Sequence, residues 1–151
     1  MTRFVVILAI IATLALTVCA MADTIQPLGI TNKSLGGGDF GDVANNKGQR
    51  GVDGGVGMNN IGLLVRTWGR VTHVDELQQI FYIDDGSGIN DLLTVGAGVR
   101  VSYSGLATGN SFTPPTEGQF VGVTGISSTF TDGTRILPLL RPRRQDDMQT
   151  F

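Results

Sequence analysis

The chain has 151 residues, with 11 basic and 13 acidic side chains, a formal net charge of −2, 22 glycines and one cysteine. A chain of this length forms one domain of ordinary size. Proteins whose affinity depends mainly on neutralising phosphates are usually basic, so the charge balance argues against that class of function. A single cysteine cannot form an internal disulfide, which leaves packing, metal or assembly to stabilise the fold.

The N-terminal segment has the pattern of a secretory signal peptide. Arg3 precedes an apolar run from Phe4 to Val18, and Ala20-Met21-Ala22 places small residues at the two positions that a signal peptidase reads. We therefore expect cleavage of residues 1–22 and a secreted protein, extracellular or at the cell surface, without a membrane span. The alternatives are an uncleaved membrane anchor, since the run almost reaches spanning length, and a lipid-modified Cys19.

Residues 23–60 are rich in glycine and have almost no aliphatic periodicity. Such a segment cannot bury enough apolar surface on its own to offset the entropy lost on ordering. It is therefore either a flexible leader or an extended arm that another surface orders. Within it, Gly36, Gly38 and Gly41 match G-x-G-x-x-G without the strand and helix that a dinucleotide site requires. Asn32-Lys33-Ser34 is a sequon that makes Asn32 a candidate for glycosylation.

From Ile61 onward the apolar residues recur with a period of two, which is typical of strands with one buried face. Five strands are predicted, with core-facing residues Ile61, Leu63, Val65 and Val71; Phe81 and Ile83; Val99, Val101 and Tyr103; Val121 and Val123; and Leu137 and Leu139. Gly69 predicts a bulge in the first strand. The pattern favours an all-β barrel or small sandwich over residues 61–141, followed by a polar C-terminal tail, residues 142–151.

Four segments follow one another in a particular order: VRTWGRV, FYIDDGSG, GVRVSY and GQFVGVTGI. In these the chain resembles an OB-fold domain of the kind found in single-strand-binding proteins and anticodon-binding domains. The matching points are Gly69, Asp85-Gly86, Gly118-Gln119 and Gly125. The resemblance covers about Ile61 to Arg141 and implies a five-stranded barrel, although OB domains bind many different ligands. The chain is also similar to secreted bacterial proteins with a Gly-rich leader before one OB domain, but this resemblance does not point to any particular activity.

The first strand carries a candidate binding face. Arg66, Trp68 and Arg70 alternate with the core residues and should point outward together. The resemblance adds Tyr82 and Arg100 on adjacent strands, because nucleic-acid-binding OB domains stack bases on aromatic side chains there and hold the backbone with cations. The first hypothesis is thus binding of a single-stranded nucleic acid or another polyanion, such as an oligosaccharide. In the alternative, the protein's own arm or a neighbouring subunit covers Trp68. The net acidity of the chain favours this alternative.

The second hypothesis is assembly through the N-terminal arm. Strand addition to the sheet edge or barrel surface of another subunit would order a glycine-rich segment. A head-to-tail contact of this kind closes into a ring or propagates as a filament. We therefore predict a structural module that forms a homo-oligomer or polymer through residues 23–60, with nucleic-acid binding as the alternative.

Catalytic and metal-binding residues are weakly indicated. His73, the only histidine, is predicted in the turn after the first strand, with no G-x-S-x-G motif to pair with it, so no enzymatic activity is expected. Asp84 and Asp85 are adjacent and should point to opposite faces of a strand, which prevents a facing carboxylate pair. Turn formation explains them better than calcium binding, which is the alternative. No other cofactor is predicted.

Overall fold

The computed structural model describes residues 25–90 and 96–151. The predicted signal peptide, residues 1–22, lies outside these ranges. The strands are β1 (Leu28–Gly29), β2 (Phe40–Asp42), β3 (Lys47–Gln49), β4 (Leu64–Asp75), β5 (Ile80–Asp84), β6 (Val99–Ser102), β7 (Phe120–Asp132), β8 (Arg135–Arg141) and β9 (Met148–Thr150). Short 3-10 turns occur at Asn32–Ser34, Val43–Asn45 and Gln145–Asp147. The all-β prediction is confirmed, and no helix in the described ranges is long and apolar enough to cross a membrane.

Seven strands form one sheet, and β2 and β3 form a separate hairpin. The order in the main sheet is β1-β4-β5-β6-β8-β7-β9, and β4 also pairs with β7. Pairings between β4, β5, β6, β8 and β7 therefore make a closed circuit, in which only the β6–β8 pair is parallel. The predicted count of five strands was wrong, because β1 and β9 extend the main sheet and β2 and β3 lie outside it. The five strands that the periodicity indicated correspond to β4 through β8.

Strand β4 is long because it pairs with two neighbouring strands. Residues 64–70 pair with β7, and residues 70–75 pair with β5. Gly69 lies beside this change of partner, and a Cβ there would be 2.6 Å from the carbonyl carbon of Asp84. The close approach of β5 therefore requires glycine at position 69.

The irregularity in β4 lies further along the strand than the sequence suggested. Gly69 stays in register with β7, so the predicted bulge at this position was wrong. The pairing with β5 shifts instead between Val71 and His73. His73 lies within β4 opposite Tyr82 rather than in a turn, with its Nδ1 atom 3.3 Å from a carboxylate oxygen of Glu117.

The buried core combines residues from the closed circuit with one residue of the arm. Its fully or nearly buried members are Leu35, Val65, Val71, Phe81, Ile83, Val99, Val101, Tyr103, Val121, Val123 and Leu140. Most of these were predicted from the period of two. Leu63 is an exception, with 51% of its side chain exposed, because β4 begins only after it. Leu137 and Leu139 are buried, but Leu140 is the β8 residue that joins the central cluster.

The glycine-rich segment packs against the sheet of its own chain. Strand β1 pairs in parallel with β4, and Leu35 is fully buried in the core. Asn60 joins the segment to β7: its Oδ1 atom accepts hydrogen bonds from the Gly36 N–H at 2.9 Å and from the Ser127 hydroxyl at 2.7 Å. Its Nδ2 atom donates to the Ser34 carbonyl at 2.6 Å. The surface that orders the arm is thus the chain's own main sheet.

The C-terminal segment is also part of the fold rather than a solvated tail. Strand β9 pairs with β7, and Asp147 is buried just before it. The Asp147 carboxylate accepts hydrogen bonds from the backbone N–H of Arg143 at 2.7 Å and from its guanidinium at 2.9 and 3.0 Å. Burial would raise the pKa of Asp147, but these bonds outweigh it and hold the pKa below its ordinary value.

The packing of the arm predicts a specific loss of stability. Leu35→Ala should lower the free energy of unfolding by about 2–5 kcal/mol, because it leaves a cavity in the core. Ile25→Ala is the control, since Ile25 is 85% exposed and its truncation should change the free energy by less than about 0.5 kcal/mol. Urea denaturation measures both values. If both variants lowered the free energy of unfolding by the same small amount, the packing of Leu35 in the core would be contradicted.

Candidate interaction face

The first half of β4 contributes to a broad outward surface. Strand β7 lies on one side of it, with β9 beyond. Trp68 is opposite Gly122, Arg70 is opposite Phe120, and Gly122 is in turn opposite Gln149. Paired residues in a sheet project to the same face, so these side chains point outward together. We call Arg66, Trp68, Arg70, Phe120 and Phe151 the aromatic-arginine face.

Its three aromatic side chains are exposed to solvent. The exposed fractions are 48% for Trp68, 55% for Phe120 and 71% for Phe151. Phe151 is fixed beside β7, because its N–H donates to the Phe120 carbonyl at 3.0 Å. A Cβ at Gly122 would lie 3.2 Å from a guanidinium nitrogen of Arg66 and 3.3 Å from the Phe151 ring. Arg66 and Phe151 thus occupy the space beside Gly122, which lies opposite Trp68 and has no side chain of its own.

The two arginines give the face its positive charge. Arg66 donates to the side-chain oxygen of Gln149 at 2.6 Å, and Arg70 lines a shallow hollow with Glu117. Among the described residues, neither arginine forms an ion pair. The face therefore combines apolar rings with two charges that no carboxylate of the described residues neutralises at contact distance.

Tyr82 and Arg100, which were predicted to extend this face, lie elsewhere. Tyr82 is fully buried, and its hydroxyl accepts a hydrogen bond from the Arg100 Nε atom at 2.6 Å. The guanidinium carbon of Arg100 lies 3.8 Å from the centre of the Phe130 ring. Arg100 also lines a cavity of about 260 Å³ with Lys33 and Val52 of the arm. The five predicted residues are thus divided between an exposed face and a separate region, in which Tyr82 is buried and Arg100 half-buried.

Phe120 and Phe151 are the members of the face that sequence reasoning missed. Phe120 directly precedes the core residue Val121, so alternation alone would have placed it on the outward side of its strand. Its position opposite Arg70 depends on the register between β4 and β7, which no local pattern gives. Phe151 reaches the face only because β9 exists, and residues 148–150 are too few for a periodic signal.

The carboxylates of Asp84 and Asp85, the two predicted calcium ligands, accept hydrogen bonds from backbone N–H groups. Asp84 accepts from the Gly86 N–H at 3.0 Å. Asp85 accepts from the Ser87 N–H at 3.0 Å and from the Asn32 N–H at 2.8 Å. In the part of the chain that the structure describes, no group of three or more His, Cys, Asp or Glu side chains could hold a metal ion. Burial would raise the pKa of Asp85, but hydrogen bonds from Ser87 and Asn32 outweigh it and lower the pKa.

Asn32 connects the arm to the back of this face. Its Oδ1 atom accepts from the Asp85 N–H at 3.1 Å, which completes a reciprocal pair of bonds. Its Nδ2 atom donates to the Thr67 hydroxyl at 2.8 Å and to the Trp68 carbonyl at 3.2 Å. The side chain is fully buried. A glycan on Nδ2 of Asn32 would have to displace these buried bonds.

Comparison of the chain with models of known protein families finds no match, and comparison with curated proteins finds none either. The rings of the aromatic-arginine face offer apolar surface for stacking, and its guanidinium groups attract carboxylates or phosphates. This combination suits recognition of another molecule.

The link between Asp85 and Asn32 predicts a pH-dependent stability. Because folding lowers the pKa of Asp85, its charged form stabilises the fold above the ordinary value of 3.8, and this contribution is lost as the pH falls through the lower native value. Asp85→Asn should therefore be less stable than wild type at neutral pH, and the difference should shrink below pH 3.8. Urea denaturation over a pH series measures it. Asp84→Asn is the control, since Asp84 does not bond to the arm, and a difference for Asp85→Asn that is constant with pH would contradict this role.

Proposed function

We propose that this chain is a secreted, non-enzymatic structural module on an OB-like five-stranded barrel and that it self-associates through the aromatic-arginine face. The closed circuit of β4, β5, β6, β8 and β7, with its one parallel pair, supports the barrel. The order of the four matching sequence segments supports the OB topology. The apolar run and the Ala-Met-Ala site of residues 1–22 support secretion.

The observation that carries self-association is the group of exposed aromatic rings beside two arginines. Contiguous exposed apolar patches mark interaction sites, and aromatic residues and Arg are enriched where protein interfaces gain most of their affinity. The formal net charge of the chain is −2, so the surface outside the face is acidic on balance. A positively charged face on an acidic protein attracts further copies of the same chain.

Assembly through residues 23–60 is the second route to self-association, and it stays a prediction. In trans it would require exchange: Leu35 would leave its own core and enter that of a neighbour. Deleting the arm would remove Leu35 and β1 from the fold, so loss of assembly after deletion would be ambiguous. Substitutions on the exposed face separate binding from folding more cleanly.

Binding of a single-stranded nucleic acid or acidic polysaccharide is the alternative function. It is favoured by one feature, the exposed Trp68 between Arg66 and Arg70 on the same face of β4. Two features weigh against it. The protein is acidic overall, and Tyr82 and Arg100 do not extend the platform to the neighbouring strands.

We expect Trp68→Ala to weaken self-association roughly tenfold or more, because central aromatic residues dominate interface energies. Sedimentation velocity of the mature chain over a concentration series measures the change. Leu63→Ala is the matched control, since Leu63 has a similar exposed fraction and precedes the face. A wild-type protein that stays monomeric at every concentration would rule out the proposed function.

Trp68 is the only tryptophan, so its fluorescence reports on ligands at the face. If self-association is the function, titration with single-stranded oligonucleotides or with a polyuronate at low salt should leave the emission unchanged while the protein is dilute. A saturable change that weakens as salt is added would favour the polyanion alternative, because phosphate and carboxylate contacts release counterions.

A further inference from the structure

The turn between β4 and β5 exposes one leucine completely. The exposed fraction of Leu77 is 99%. The turn is closed by the pairing of Asp75 with Ile80, and the Gln78 N–H donates to the Asp75 side chain at 3.0 Å. The Gln79 N–H donates to the Glu76 carbonyl at 3.3 Å. These bonds hold the leucine on a defined tip.

The chemistry of this tip complements the aromatic-arginine face. Asp75 and Glu76 directly precede Leu77, and no basic residue lies between Asp75 and Ile80. One apolar side chain is thus presented next to two carboxylates. The face has the opposite arrangement, with apolar rings next to two guanidinium groups, and the two surfaces match in both polarity and charge.

Leu77 lies far from Trp68 of its own chain. Both features belong to the same strand, with Trp68 in the first half of β4 and Leu77 two residues beyond its end. An extended strand advances about 3.3 Å per residue, so the seven steps from Trp68 to Asp75 span roughly 23 Å. Contact of Leu77 with Trp68 therefore needs a second copy.

We infer that Leu77 of one copy packs against Trp68 and Phe120 of the next, with Asp75 and Glu76 next to the two arginines of the face. This inference rests on the proposed self-association and identifies the partner segment. Since two different surfaces meet, a pair of copies leaves one face and one tip free for further copies, and the contact generates a closed ring or an open filament. A contact made by one turn is small, so assembly depends on concentration, and salt weakens its charged part.

A mixing experiment tests the head-to-tail arrangement directly. Leu77→Asp leaves the face intact but disables the tip, whereas Trp68→Ala leaves the tip intact but disables the face. Each variant alone should be monomeric at concentrations where wild type assembles. Their equimolar mixture should form dimers and nothing larger, because only one productive contact remains. Sedimentation velocity distinguishes these species, and a mixture that stays monomeric would overturn the inference.

Charge reversal supplies an independent test. Glu76→Arg and Arg70→Glu should each weaken association roughly tenfold, and the double variant should recover most of the loss if the two charges meet. Met58→Asp is the control for adding a charge at an exposed apolar position, since Met58 is 87% exposed on the arm. If wild type assembles and Leu77→Asp assembles equally well, the inference is wrong while the proposed function stands. If wild type never assembles, the proposed function itself is wrong.

Discussion

Strand β4 pairs with β7 along its first half and with β5 along its second, and the rest of the structure depends on this double pairing. It closes the circuit of strands around the apolar core. It also fixes the outward direction of Trp68 and its neighbouring arginines, and it directs the β4–β5 turn away from them. The arrangement requires the backbones of β4 and β5 to approach more closely than a side chain at position 69 would allow, and glycine meets that requirement.

The arm shows how a glycine-rich segment becomes ordered without a period of apolar residues. One leucine enters the core, and two buried asparagines, Asn32 and Asn60, use their side-chain amides to bond backbone groups and hydroxyls. Buried polar groups stabilise a fold when their hydrogen bonds are made. An expectation based on buried apolar area alone therefore underestimates the stability of such a segment, because it omits the hydrogen bonds of buried side-chain amides.

Much of the fold and only part of the face could be predicted from the sequence. Alternation located β4 through β8 and placed Arg66, Trp68 and Arg70 outward, since a period of two is a local property. The burial of Tyr82 could not be foreseen, because its burial depends on tertiary packing that no local pattern reveals. Glycine in a strand signals either a bulge or a close approach, and at Gly69 only the tertiary position of β5 decides between them.

The bonds of the arm reach residues far along the chain, which limits when they can form. Asn60 bonds to Ser127 in β7, and Asp53 exchanges hydrogen bonds with the backbone of Ile136 in β8. The arm is synthesised before its partners, so it stays without them until β7 and β8 exist. Contacts between such distant segments slow folding. The arm can therefore be held against β7 and β8 only after those strands have been made, long after its own synthesis.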